Sequence, residues 1–381
     1  MLPLALPCSS HSTLVCVSGF YVFCRSLGLL LALVGLVATL LPLLRQTAWW
    51  IRVCDFPRLQ LVAGLLLSLP LLQAPGLALP GPTHLLTGLV LAAVAYQLFR
   101  IWPYTPLHYK LVQDAERPAE DHDNHISLLV TNVLMYNRDA SRCLGVIRQY
   151  NPDIVLAVET DDWWLSQLAL LGHDYPHTCH APLPNTYGML VFSRLPLREK
   201  EIQFILDPGI PSFHGRVELP SGVQVALHFV HPKPPAPKES KTSTRRDAEL
   251  LLVGRAIQHH DGPTIVAGDL NDVAWSHTSE LFRRLARLLD PRVGRGLLPT
   301  FHADYKLLRW PLDHVFHSAH FRLQHLERLP HIGSDHYPIY IRLSYEPQGW
   351  QAQEKELEAP DAEDRLEASE KIQEATSEEI S

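Results

Sequence analysis

Thr264-Ile265-Val266-Ala267-Gly268-Asp269-Leu270-Asn271 is an apolar run that closes on a glycine, a carboxylate and a carboxamide. A short apolar run bounded by turn residues reads as a buried strand. A charge at the end of so hydrophobic a stretch is costly to bury unless it is paired or put to use. The pattern recurs along the chain. Residues 126–132 end on Asn132, residues 153–159 end on Glu159, and Leu312-Asp313-His314 and Ser334-Asp335-His336 follow downstream. Acids, a carboxamide and an acid beside an imidazole are thus expected at neighbouring strand ends.

Working outward, further strand signals fall at 189–193, 223–230, 312–317 and 337–343, and helical spacing behind acceptable N-cap residues at 139–150, 161–171, 243–260 and 276–289. Between about 189 and 230 the strands follow one another without helices. That order fits two packed sheets with helices outside better than a doubly wound parallel sheet, so the expected class is α/β.

The chain falls into four segments by composition. Residues 1–107 are rich in Leu, Val, Ala and Pro and nearly free of acid, 108–125 read as a linker, 126–345 as an α/β domain, and 346–381 as an acidic, disordered tail. Residues 347–381 hold 11 Asp or Glu against 3 Lys or Arg, which accounts for the net charge of −7 and leaves the body close to neutral. A neutral body lacks the basic face of a protein that grips long nucleic acid through its phosphates. The six cysteines at 8, 16, 24, 54, 143 and 179 form no C-x-x-C pair, so neither a disulfide framework nor a zinc ribbon is expected.

Residues 26–44, SLGLLLALVGLVATLLPLL, carry no charge and have the length needed to cross a hydrocarbon core of about 30 Å. Residues 59–79 and 85–101 are second and third candidate spans, and an apolar patch at 14–23 either extends the first span or precedes a later start. Three successive apolar runs exceed a cleavable signal peptide, so a multi-pass anchor in a lipid bilayer is expected. Arg45, Arg52 and Arg58 in one connection and Arg100 and Lys110 after the third span favour a cytoplasmic side for both regions.

Taken singly, Asn132 could cap a turn, Glu159 could cap the next helix and Asp269 could open an Asx-turn. Together they supply hard oxygen ligands of the kind Mg²⁺ or Mn²⁺ accepts, with no thiolate or imidazole set that would select zinc. An imidazole near its ordinary pKa, such as His336, suits proton transfer at neutral pH when a carboxylate orients it.

The order Thr131-Asn132, Pro152-Asp153-Ile154-Val155 leading to Glu159, Ser193-Arg194-Leu195-Pro196, a His-ended strand, Gly268-Asp269-Leu270-Asn271, Leu312-Asp313-His314-Val315-Phe316 and Ser334-Asp335-His336-Tyr337-Pro338 resembles the endonuclease/exonuclease/phosphatase superfamily, over about 126–343. The resemblance implies a four-layered α/β/β/α sandwich, here preceded by a transmembrane helical anchor. It also implies a metal-dependent hydrolysis of phosphate esters. Mg²⁺, or Mn²⁺, would be held by Glu159 with Asn132 and Asp335. His336 would act as general base or stabilise the transition state, with Asp313 fixing its tautomer; Asp269 and Asn271 would orient the nucleophile and hold a phosphoryl oxygen. A histidine at the end of 223–230 would stabilise the phosphate. His231 is preferred because the following prolines place it at a strand end, and His228 is the alternative.

Ser334, Asp335 and His336 are adjacent and cannot aim at one another as a serine triad does, and neither a G-x-S-x-G elbow nor a P-loop occurs. His173, His177 and His180 with Cys179 form a loose cluster without a paired ligand set, expected as exposed loop. The expected activity is nuclease or phosphodiesterase chemistry on nucleic acid or phospholipid. A lipid-directed phosphodiesterase or phosphatase is the first alternative, and a non-catalytic membrane-tethered binding module is the alternative of another class. No protein partner is inferable from the sequence.

Overall fold

The leucine-rich N-terminal sequence lacks the two-residue alternation of a strand and folds as helices. The computed structural model describes residues 10–74, 83–118, 121–357 and 359–380. The chain divides into one unit of Met1–Gln46 with Trp50–Ile101 and another of Thr47–Trp49 with Trp102–Ser381.

The first unit contains α1 (Ser10–Leu40), α2 (Trp49–Arg52), α3 (Arg58–Leu72) and α4 (Thr83–Ile101). Its core includes Ala32, Leu65, Val90 and Val94. At Gly28 a Cβ would lie 2.9 Å from the Leu72 backbone nitrogen, so α1 and α3 approach to a distance that glycine allows. Arg58 pairs with Asp55 at 2.6 Å and donates to Gln97 Oε1 at 2.8 Å, and Gln97 donates to Thr39 Oγ1 at 3.0 Å. Leu30, Leu33, Val37, Leu85, Leu89 and Phe99 face outward. That apolar exterior is costly in water and ordinary in lipid.

Among the described residues two helical stretches are long and apolar enough to cross a membrane, Gly19–Leu44 and His84–Tyr104, and the bent pair Trp49–Asp55 with Arg58–Leu72 makes a third if it counts as one span. The first absorbs much of the 14–23 patch. The expected second span, 59–79, is shorter in the structure: α3 ends at Leu72, and the segment Trp49–Asp55 before it is bent from Arg58–Leu72 by 77°. The last part of that expected span lies outside the described residues.

In the larger unit the strands are β1 (His125–Asn132), β2 (Ile154–Val158), β3 (His177–Ala181), β4 (Met189–Ser193), β5 (Leu197–Gln203), β6 (Ser212–Glu218), β7 (Gln224–Phe229), β8 (Thr264–Asp269), β9 (Asp313–His317), β10 (Phe321–Arg328) and β11 (Ile339–Tyr345). Among the described residues they form a six-stranded sheet ordered β10-β11-β1-β2-β4-β3 and a five-stranded sheet ordered β5-β6-β7-β8-β9. The helices are α5 (Ala140–Tyr150), α6 (Asp162–Leu168), α7 (Thr244–Ile257), α8 (His277–Ala286), α9 (Trp350–Glu354) and α10 (Ala362–Ile380). Ile147, Trp164 and Leu168 of α5 and α6 cover the first sheet at Val155 and Phe192. Leu250, Val253 and Phe282 of α7 and α8 cover the second at Val266 and Phe316. β1, β2, β8 and β9 are buried throughout, as strands sandwiched on both faces must be. The layers therefore run α/β/β/α.

The sequence signals miss β3, β5, β6 and β10. β5 shows why: its centre, Arg198 to Lys200, is charged and exposed, and the strand sits at a sheet edge. His177 and His180 with Cys179 lie on the edge strand β3, not on a loop.

The tail departs most from expectation. The helix α10 is ordered, and Ala368 and Ala375 are fully buried against α7 and α8. Arg284 pairs with Asp364 at 2.7 Å and His277 with Glu367 at 2.8 Å. Small side chains and complementary charges, not large apolar groups, dock it. The expected linker is likewise bound. Leu111 and Val112 are buried, and Ala115 N–H donates to the Leu323 carbonyl at 2.8 Å.

At the start of α8 the buried Ser276 hydroxyl accepts from Ser279 N–H at 3.0 Å as an N-cap. Ser276→Ala is expected to lower the stability of the larger unit by about 1 kcal/mol, the usual cost of a lost cap. Urea denaturation of the full chain measures it, and an unchanged midpoint contradicts it.

Candidate active site at the strand rim

Parallel neighbours end at the same sheet edge, so β1 and β2 deliver Asn132 and Glu159 side by side, and β7 and β8 deliver His231 and Asp269. β9 runs antiparallel to β8 with Asp313 opposite Asp269. His336 arrives from the loop before β11. At Gly268, φ is 145° and a Cβ would lie 1.9 Å from the Val230 carbonyl oxygen, so a residue with a side chain would push the ends of β7 and β8 apart.

Asp269 is the hub of this rim. Its Oδ2 accepts from Asn132 Nδ2 at 3.1 Å and lies 3.6 Å from His336 Nε2 and 3.8 Å from His231 Nε2. Its Oδ1 accepts from Asn271 N–H at 3.0 Å. Asn132 Nδ2 also donates to Glu159 Oε1 at 2.7 Å. His336 Nδ1 is 2.8 Å from Asp313 Oδ2. Glu159 and His336, separated by much of the domain sequence, thus face one pocket through Asn132 and Asp269.

Burial pushes the Glu159 carboxyl up to about 7, aided by the Asp335 and Asp269 charges and opposed by the Asn132 hydrogen bond and the His336 charge. Burial also raises Asp269, against the pull of His336. Burial alone would lower His336, but the charges of Asp313 and Asp269 and the Asp313 hydrogen bond outweigh it and hold the imidazole up at about 10. His231 is fully buried and held below the usual range by desolvation.

The other expected residues are placed as follows. Asn271 Nδ2 donates to the Pro232 carbonyl at 3.0 Å, beside His231. Asp335 is half-buried and accepts from Ser334 Oγ at 3.4 Å, with its charge felt by both Glu159 and His336. Asn132 Oδ1 accepts from Leu134 N–H at 3.0 Å, and its amide nitrogen faces the Glu159 and Asp269 carboxylates. His228 pairs with His214, Nδ1 to Nδ1 at 2.7 Å, across β6 and β7, whereas His231 is the histidine beside Asp269. Arg194 donates to Asn151 and packs over Tyr175.

Ligand atoms of Asp269, Asp313 and His336 lie within 4.8 Å of one another, the one such group among the described residues that could hold a metal ion. Asp313 Oδ1 is a buried oxygen without a hydrogen-bond partner, and His231 Nδ1 a buried nitrogen likewise. Two carboxyls held up by burial and two orphaned polar atoms fit a pocket that a cation and an anionic ligand would complete.

Ser334, legible with its motif, accepts on Oγ from His336 N–H at 3.0 Å. Other supporting groups have no signal in the sequence: Thr300 Oγ1 accepts from Asp313 N–H at 3.2 Å, and the Phe301 ring lies 4.9 Å from the His336 ring. Tyr187 packs at 5.4 Å from His231 and donates to Glu239 at 2.8 Å. None follows an apolar run, so none stands out before folding.

The two-sheet sandwich and its acid and imidazole rim define a phosphoesterase-type scaffold. The chain belongs to the endonuclease/exonuclease/phosphatase family, whose profile matches residues 129–336. That family includes metal-dependent phosphoesterases, nucleases and phosphatases among them. Similar solved structures include an endonuclease/exonuclease/phosphatase from Beutenbergia cavernae DSM 12333, 20% identical over 58% of this chain and 72% of that one, with a TM-score of 0.47. The human Nocturnin catalytic domain with bound sulfate anion is 18% identical over 58% and 94%, TM-score 0.48. D. rerio TDP2 complexed with single strand DNA product is 20% identical over 58% and 100%, TM-score 0.46. No curated protein matches the chain in sequence.

Proposed function

We propose that this protein is a membrane-anchored, metal-dependent phosphoesterase that hydrolyses phosphate esters by attack of water, with residues 126–345 as the catalytic domain and residues 1–107 as the anchor. The observation that carries it is the Asp269 carboxylate, within 3.8 Å of Asn132, His336 and His231 side chains while Asp313 holds the far side of His336. A non-catalytic tethered module would have no need of a buried carboxylate and imidazole set held in this arrangement.

Glu159 and Asp335 would hold Mg²⁺ or Mn²⁺, which neutralises phosphate charge and polarises the phosphoryl group when bound. Asn132 keeps Glu159 and Asp269 together. Asp313 Oδ2 accepts a hydrogen bond from His336 Nδ1–H, so Nε2 would be the atom that exchanges a proton at the rim. Asp269 lies where it would orient the attacking water between its Oδ2 and His336 Nε2. As imidazolium, His336 also donates to developing negative charge. His231 and the second N–H of the Asn271 amide are placed to hold a phosphoryl oxygen.

His231→Asn is expected to lower kcat by about 10²-fold, the scale of losing one donor to developing charge. His228→Asn, remote from Asp269, is expected to leave kcat near wild type. The reverse ranking would assign the role to His228.

The substrate is proposed as a nucleic-acid or other phosphodiester, with a lipid phosphodiester or phosphomonoester as the second case. Two apolar helices able to span a bilayer and an apolar exterior on the first unit favour the lipid case. With the bent pair Trp49–Asp55 and Arg58–Leu72 counted as a further span, both cationic connections share one side, which favours a cytoplasmic catalytic domain. Full-length protein in detergent, with Mg²⁺ or chelator, is to be tested against plasmid DNA, an abasic duplex, sphingomyelin and phosphoinositides. Metal-dependent release from one class assigns the substrate; no release from any, with the protein folded and metal bound, leaves the binding module.

A further inference from the structure

Behind the turn at 268–272 lie four buried charges. Arg246 of α7 donates through Nη1 to the Asn271 carbonyl at 2.7 Å, and through Nη2 meets Asp247 Oδ1 at 2.7 Å and Asp272 Oδ2 at 3.1 Å. Asp247 accepts on its other oxygen from Ser243 at 3.1 Å, Thr278 at 3.0 Å and Lys371 Nζ at 3.2 Å. The side chains of Arg246, Asp247 and Asp272 are 0%, 1% and 2% exposed, and that of Lys371 12%. Two cations thus face two carboxylates. Three of the four come from α7 and the turn after β8, and the fourth, Lys371, from the C-terminal helix α10.

The face of α10 that docks is spaced at three and four residues: Asp364, Glu367, Ala368, Lys371, Ile372 and Ala375. Asp364 binds Arg284 and Glu367 binds His277, which holds the helix down without touching Asp247 or Asn271. Lys371 alone of these side chains carries charge into the network behind the turn.

We propose that Lys371 is a positioning residue for the hydrolytic site: its charge balances Asp247, leaves Arg246 free to hold the Asn271 carbonyl, and so fixes the turn that aims Asp269. This rests on the rim being that site. Asn271 sits at φ 51°, a left-handed conformation that a non-glycine residue keeps only when its surroundings hold it. Its N–H binds Asp269 Oδ1 at 3.0 Å, so a shift of the turn moves the carboxylate shared by His336 and His231. Without Lys371, Asp247 loses a cation at 3.2 Å and the carboxylates pull harder on Arg246, in a low-dielectric interior where uncompensated charge is far costlier than in water. The guanidinium is then drawn to the carboxylates and the Asn271 carbonyl is released.

The test uses the full chain with Lys371→Met, Lys371→Arg, Asp364→Asn and the double variant Lys371→Met with Asp247→Asn. Steady-state hydrolysis of bis(p-nitrophenyl) phosphate with Mg²⁺ is measured beside thermal unfolding and amide hydrogen exchange of peptides covering 265–276. Lys371→Met is expected to lower kcat roughly tenfold at unchanged KM, within the range for residues that act through a network, and to speed exchange in that segment. Lys371→Arg restores both. Asp247→Asn restores both in the Lys371→Met background, because its oxygen still accepts from Arg246 and the network is neutral again. Asp364→Asn loosens α10 and lowers Tm without changing exchange at 265–276 or kcat. Equal effects of Lys371→Met and Asp364→Asn on kcat and exchange would reduce Lys371 to a structural role and overturn the proposal, as would wild-type exchange in Lys371→Met. If the wild-type chain hydrolyses no phosphate ester, the functional reading falls while the exchange comparison still decides whether Lys371 holds the turn.

Discussion

His336→Ala is expected to lower turnover by about 10²–10⁴-fold, the range for removing a positioned general acid or base. The imidazole is 4% exposed, its Nδ1 is committed to Asp313 at 2.8 Å, and its Nε2 faces Asp269 at 3.6 Å. No other imidazole is bound to Asp313 among the described residues, so none can substitute in place. Alanine also leaves Asp313 buried without its partner, which destabilises the fold for reasons unrelated to turnover. His336→Gln is therefore the companion variant, since its amide can still donate to Asp313 while offering no titrating nitrogen. Single-turnover rates of both variants, alongside their melting curves, decide the matter. A folded His336→Gln protein within threefold of wild type would remove His336 from the chemistry.

Glu159→Gln is expected to shift the Mg²⁺ dependence of activity upward by about 10–100-fold or more, since even outer partners of a metal commonly cost that much. Glutamine preserves the shape of the side chain and can still accept from Asn132 Nδ2, now at 2.7 Å from Glu159 Oε1, so the strand ends stay together. What it removes is a carboxylate that burial holds up at about 7. A cation that binds only the folded chain adds stability by mass action, about 2.7 kcal/mol at a hundredfold excess over its dissociation constant. Wild type should therefore gain thermal stability on Mg²⁺ titration, and Glu159→Gln should gain little at the same concentrations. Superimposable titrations of the two proteins, in both activity and Tm, would take Glu159 out of the metal site.

What could be read from residues alone was the chemistry at the ends of the central strands. β2 and β8 are buried on both faces and read as apolar runs, so a polar residue that ends one stands out. Glu159 and Asp269 are legible by that contrast, as is Asn132 at the end of the largely apolar β1, whereas Asp313 opens the polar-ended β9 and is legible only from its Asp-His motif. His231 and His228 were separable only by geometry, because both fall near the end of one strand and only the turn after Phe229 carries His231 to Asp269. The edge strands β3 and β5 gave little signal, since a sheet edge tolerates charge and partial exposure. The tail was misread for a related reason. Its apolar face consists chiefly of Ala368, Ile372 and Ala375, too small to register as a buried stripe, and its acids look solvated until Arg284 and His277 are placed opposite them. The direction of the Asn132 amide depends on Leu134 N–H, which no spacing reveals.

The Asp269 carboxylate, shared by Asn132, His336, His231 and the Asn271 amide, has a consequence for how the rim holds its protons. Groups coupled this closely do not ionise one at a time. Their macroscopic proton losses belong to the ensemble, and no titration curve of the whole can be divided into private constants for its members. The rim is in this respect a single polybasic acid, assembled from four stretches of chain.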